Sequence, residues 1–90
     1  MIYPFMTLND NTEIVHSEMN SEGKVKVLME TPDEKLGFKH AACILPDFEW
    51  KDISGYTDEE LNYLKELISS EKHLILEFSQ TGGFDSASGF

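Results

Sequence analysis

The sequence predicts an α+β, two-layer domain: a four-stranded antiparallel meander sheet packed against one or two C-terminal helices. Three observations lead there. In residues 24–30, Val25, Val27 and Met29 fall on one side and Lys24, Lys26 and Glu30 on the other, the period-two pattern of a half-buried strand. Leu61, Leu64, Leu67 and Ile68 recur at helical spacing directly behind Thr57-Asp58-Glu59-Glu60. Turn-forming clusters punctuate the first half at short intervals, as a meander requires. Strands first and helices afterwards is the order of a sheet covered on one face by helices.

The first strand runs from Ile2 to Leu8, where Pro4 lacks the amide needed for a central ladder and so places the strand at an edge or its opening residues outside the pairing. Asn9-Asp10-Asn11 makes a hairpin turn, because Asn and Asp accept left-handed backbone angles and bond their own main chain. The second strand covers Thr12 to Met19, and Asn20-Ser21-Glu22-Gly23 turns the chain into the third, Lys24 to Glu30. Thr31 to Gly37 reads as a loop by composition. A fourth strand follows from Phe38 to Leu45, with Phe38, His40, Ala42 and Ile44 on one face and Lys39, Ala41, Cys43 and Leu45 on the other; Pro46 ends it. Asp47 to Gly55 is expected as a connection, its Phe48 and Trp50 rings covering the end of the core.

Thr57-Asp58-Glu59-Glu60 is a capping box: the threonine hydroxyl accepts from the Glu60 amide, and the Glu60 side chain reaches back to the Thr57 amide. Its carboxylates also suit the positive end of the helix dipole. Ser69-Ser70 reads as a break and a fresh cap. Beyond it Leu74, Ile75 and Phe78 suit a second helix, although His73 to Ser79 also fits a fifth strand, because a short apolar run satisfies either period. Residues 1–80 are thus expected to form one domain, and residues 81–90, rich in Gly and Ser, a C-terminal tail.

Composition narrows the functional classes. The 90-residue chain has 17 acidic and 7 basic residues, a formal charge of −10, and every basic residue is a lysine. Scattered lysines among so many carboxylates repel a polyanion, so direct nucleic-acid binding is not expected. Such a surface suits a basic protein partner instead, or serves solubility. The lone Cys43 permits no intrachain disulfide. Residues 1–6 have no charged leader, and no apolar run nears the ~20 residues that span a bilayer, so a cytoplasmic location is expected.

Candidate chemistry is sparse. His16 and Glu18 share a strand face, and with His40 they offer the residue types of a small hydrolase or metal-dependent enzyme. A metal needs three or four ligands at suitable spacing, however, and no Cys-x-x-Cys or His-Glu-x-x-His pattern occurs. His40 reads as a histidine at the rim of the core. It points to the opposite face from Cys43, which argues against a thiolate–imidazole pair and for Cys43 as a core hydrophobe. Asp47, Glu49 and Asp52 flank Trp50, but a domain this small leaves little room for a sugar cleft. Gly82-Gly83 precedes no helix and is not a phosphate loop. No catalytic residue, metal or cofactor is assigned.

The run Thr7 to Ser17, with its Asn9-Asp10-Asn11 centre, and the ending Glu77-Phe78-Ser79-Gln80-Thr81-Gly82-Gly83-Phe84-Asp85 resemble a group of short bacterial proteins from mobile-element regions. That resemblance carries no established activity. The strand, acidic loop and helices from Phe38 to Gln80 are architecturally similar to small toxin–antitoxin domains. Together the resemblances imply an accessory or regulatory protein. The expectation is therefore a small acidic, non-enzymatic protein-binding domain, with self-association as a homodimer also open. Trp50, Phe48, Phe84 and Phe90 are the candidate contacts, aromatics being good interface anchors. The alternatives are an acidic decoy that blocks a nucleic-acid-binding protein, and the small hydrolase or metal-dependent enzyme.

Overall fold

A computed structural model describes residues 2–81, and the expected contacts Phe84 and Phe90 lie outside them. Five antiparallel strands form one sheet in chain order: β1 (Ile2–Thr7), β2 (Glu13–Ser17), β3 (Val25–Asp33), β4 (Gly37–Leu45) and β5 (Glu49–Ser54). A single helix, α1 (Asp58–Thr81), follows. The α+β meander is as expected, except that residues 31–33, expected as loop, continue β3 and pair with residues 37–39 of β4 because the turn needs only the residues between them; two larger corrections follow. The segment read as a connection after Pro46 is the fifth strand, and the segments on either side of Ser69-Ser70 make one helix rather than two.

Both corrections have physical causes. On β5 almost every side chain except Trp50 is exposed, and the register against β4 slips between His40 and Ala42, so no alternation survives in the sequence. In α1 the buried stripe Leu64, Ile68, Ile75 and Ser79 passes straight through Ser69 and Ser70, which face solvent. The Ser70 hydroxyl bonds back to the Leu67 carbonyl at 2.8 Å and so does not cap a new helix. The helix begins as the sequence dictates: the Thr57 amide donates to Glu60 Oε1 at 2.9 Å and the Glu60 amide to Thr57 Oγ1 at 3.2 Å.

The hairpins close by the expected chemistry. Asn11 takes φ 67° in the first turn. In the second, Asn20 Oδ1 accepts from the Glu22 and Lys24 amides, both at 2.9 Å, and Gly23 takes φ 77°. Of the two placements open to Pro4, the structure takes the first: β1 is an edge, and its register slips beside that proline.

One face of the sheet packs against α1. Ile14, Val25, Val27, Met29, Ala41, Cys43 and Leu45 are each no more than 2% exposed, and they meet Leu64, Ile68 and Ile75 of the helix. Burying a side chain of this size contributes about 1.5–3 kcal/mol, so this contact fixes the helix on the sheet. On β4 the core side is that of Ala41, Cys43 and Leu45; Phe38 and His40 stand exposed on the opposite, open face. His40 is therefore not a core-rim histidine. Trp50, paired with Cys43 across the ladder, lies on the helix side. Among the described residues no helix is long and apolar enough to cross a membrane.

Candidate functional site

Where the helix begins, its first turns stand over the β1–β2 turn and leave a cleft of about 280 Å3, lined by Asp10, Thr12, Thr31, Tyr56, Glu59, Glu60 and Tyr63 with Leu8 and Leu64. Strand parity puts its floor in place. Thr12 continues the buried series of Ile14 and His16, and Thr31 continues that of Val25, Val27 and Met29, so two hydroxyls occupy positions where the pattern otherwise places hydrocarbon. Thr12 is 1% exposed and Thr31 7%.

Buried hydroxyls need partners, and these form a continuous chain. Thr12 Oγ1 lies 2.6 Å from Asp10 Oδ1, which also accepts the Thr12 amide at 3.0 Å. Thr12 and Thr31 hydroxyls are 2.6 Å apart, and Thr31 meets the Tyr56 hydroxyl at 2.8 Å. An ionised Asp10 can only accept, so the protons run one way: Tyr56 donates to Thr31, Thr31 to Thr12, and Thr12 to Asp10. Each donor so engaged polarises the next, which strengthens the series. Tyr56 has a second acceptor in reach, the Lys39 carbonyl at 3.4 Å. Burial raises the Tyr56 phenol above its ordinary value, so it stays protonated and remains a donor at neutral pH.

The rim is acidic. Glu60 receives the Lys39 ammonium at 2.7 Å, and that hydrogen bond, followed by the Thr57 amide, holds its carboxyl below the usual carboxylate range. Asp10 and Glu59 face solvent at the mouth, where the Tyr63 ring is 58% exposed. Carboxylates lining one cleft with two tyrosines suit an ammonium or guanidinium group. The volume fits the end of one long side chain better than a substrate cleft.

The residues singled out in the sequence fall elsewhere. His16 is fully buried beneath the helix, against Tyr3 and Phe5 at ring distances of 5.7 and 6.4 Å. Its Nδ1–H donates to the Ser17 carbonyl at 2.8 Å, leaving Nε2 with no hydrogen-bond partner. Glu18 instead accepts from the Tyr3 hydroxyl at 2.7 Å, and His40 sits on the opposite face of the sheet. His16, Glu18 and His40 thus do not converge. Cys43 is buried, and desolvation pushes its thiol up to about 11. Across the open face Glu30, His40 and Ser54 align on neighbouring strands, with no hydrogen bond joining them. Among the described residues no group of three or more His, Cys, Asp or Glu is placed to hold a metal ion.

Trp50 and Phe48 are half-buried against the core, and each carries a lysine of the helix: Lys65 Nζ lies 6.0 Å from the Trp50 ring centre and Lys72 Nζ 5.2 Å from that of Phe48. Sequence reasoning passed over Asp10, Thr12, Thr31, Tyr56 and Tyr63 as a binding group. The available signal was a threonine at buried parity on each of two neighbouring strands. No family model matches the chain, and comparison with curated proteins and with solved structures likewise gives no match.

Proposed function

We propose that the chain is a small non-catalytic binding domain that captures a basic segment of another protein in the cleft between the β1–β2 turn and the start of α1. The observation that carries this reading is the polarised hydroxyl chain ending on Asp10, with Glu59 and Glu60 at the mouth and Tyr56 and Tyr63 beside it. A lysine or arginine side chain entering there meets fixed acceptors and aromatic rings, while the formal charge of −10 steers it inward. On the helix, carboxylates alternate with Lys65 and Lys72 held over Trp50 and Phe48, which favours a local cleft over a phosphate-like array of a decoy.

A titration of the 15N-labelled chain with an arginine-containing peptide and with its acidic counterpart tests the proposal. The basic peptide should shift the amides of residues 8–12 and 56–64, more weakly as salt rises, and Asp10→Asn with Glu59→Gln should abolish the shifts. Equal responses to both peptides, or shifts confined to other parts of the sheet, would refute it.

A further inference from the structure

The helix covers one face of the sheet and leaves the other without a covering element, although Ala42 at its centre is closed off by its neighbours and Val15 and Leu28 are half-buried. On that open face the strands line up in rows, and the middle row runs Pro4, Val15, Leu28, Ala42 across β1 to β4 before ending on Lys51 at the β5 edge. The apolar part of this row is flanked by opposite charges. On β3, Lys26 stands one row to one side of Leu28 and Glu30 one row to the other, all three on the open face between the buried Val27 and Met29. Glu30 is directly opposite Glu13 of β2, a like-charge cross-strand pair that opposes folding. The ion pairs among the described residues are Lys24–Asp47 and Lys39–Glu60, so neither Lys26 nor the Glu13–Glu30 pair is neutralised within the chain.

From this arrangement we infer that the open face pairs with the same face of a second copy, about a two-fold axis lying across the strands at Leu28. That axis sets β3 over its twin in the reverse direction. Leu28 then meets the partner's Leu28, and Lys26 of each copy lies over Glu13 and Glu30 of the other. The Lys26 and Glu30 contacts favour this axis; it also brings Lys51, level with Leu28, over the partner's Lys51, which limits the strength of the dimer. An axis parallel to the strands would set Lys26 in line with Lys26, and Glu30 with Glu30. The contact leaves the cleft at the start of α1 uncovered, so the inference does not depend on the proposed peptide binding. Five strands about 4.8 Å apart and three rows about 6.8 Å apart give a face of roughly 500 Å2 per copy. Twice that is at the lower limit for a specific complex, so the dimer is expected to be weak and concentration-dependent.

Sedimentation velocity of the full chain from about 5 to 500 μM, at low salt, reads this directly. The chain should pass from monomer to dimer across that range. Lys26→Glu and Glu30→Lys should each weaken the dimer about tenfold, through like charges brought face to face. The double exchange K26E/E30K should restore association above that of either single exchange, because positions 26 and 30 of facing copies are again opposite in sign, with Glu13 left as the like-charge neighbour. Both positions are exposed, so thermal melts should show every variant folded, and Leu28→Ser, which weakens the centre of the contact, gives an independent readout. A chain that stays monomeric throughout overturns the inference. So does a double exchange that fails to restore association, or a dimer indifferent to all of these changes, which would place the contact at a strand edge.

Discussion

Replacing Thr31 by valine removes the middle link of the buried hydroxyl chain while keeping its shape. Two hydrogen bonds go, of 2.6 Å to Thr12 and 2.8 Å to Tyr56, from a side chain only 7% exposed. Each contributes about 1 kcal/mol net. Neither partner is left as a bare donor: Thr12 still donates to Asp10, and Tyr56 can turn to the Lys39 carbonyl. The expected loss is therefore about 2 kcal/mol, or about 10 °C in Tm for a domain of this size. Thr12→Val should cost a similar amount, since it breaks the bond to Asp10 and the same bond to Thr31. The pair share one hydrogen bond, so the double variant should be about 1 kcal/mol less damaging than the two costs added. Urea unfolding followed through Trp50, the single tryptophan, measures all three. A loss below about 0.5 kcal/mol for Thr31→Val, or strict additivity, would mean that the hydroxyls act separately.

Gly55 takes φ 90°, and a Cβ there would lie 3.0 Å from Lys39 Cγ and 3.1 Å from Leu36 Cδ1; Gly55→Ala should cost about 1–2 kcal/mol in the same assay. Glu60→Gln keeps the helix cap but removes the charge facing Lys39. Because the folded Glu60 value is lowered, its contribution is present above the unfolded carboxylate value and lost as pH falls through the folded one. Lys39 is raised, chiefly by Glu60, so its share is present below the ordinary lysine value and lost only as pH rises through the raised value. Melting curves of parent and Glu60→Gln should consequently differ at pH 7 and converge in acid. Cys43, buried with its thiol pushed up to about 11, should react with a thiol reagent at neutral pH only as fast as the chain opens. Labelling that is prompt in buffer and unchanged by urea would contradict that burial.

What the sequence disclosed, and what it hid, divides along the range of the forces involved. The capping box, the two Asn-rich turns and the alternation of β3 are local, and each is found where its residues place it. Strand β5 was illegible because an exposed edge with a register slip has no reason to alternate. The faces of β4 misled by size. Large Phe38 is 57% exposed while small Ala41 and Cys43, at 2% and 0%, lie beneath the helix, and only the neighbouring strands decide which side that is. The cleft was hidden for a related reason. Thr12, Thr31 and Tyr56 are separated by 19 and 25 residues and become one chain of hydroxyls only once the meander and the helix start are in register.

The order of the elements has a consequence for biosynthesis. A ribosome delivers the whole meander before any of α1, so a nascent sheet would carry Val27, Met29, Cys43 and Leu45 uncovered on its inner side. Phe5 meets Phe78 at 6.2 Å, and the Met19 amide bonds the Ser79 carbonyl at 3.3 Å, so the far end of the helix packs on β1 and on the segment that follows β2. Translation must advance through the final turns of α1 before this fold can close, and until then chaperone capture and misassociation compete for the same exposed surface.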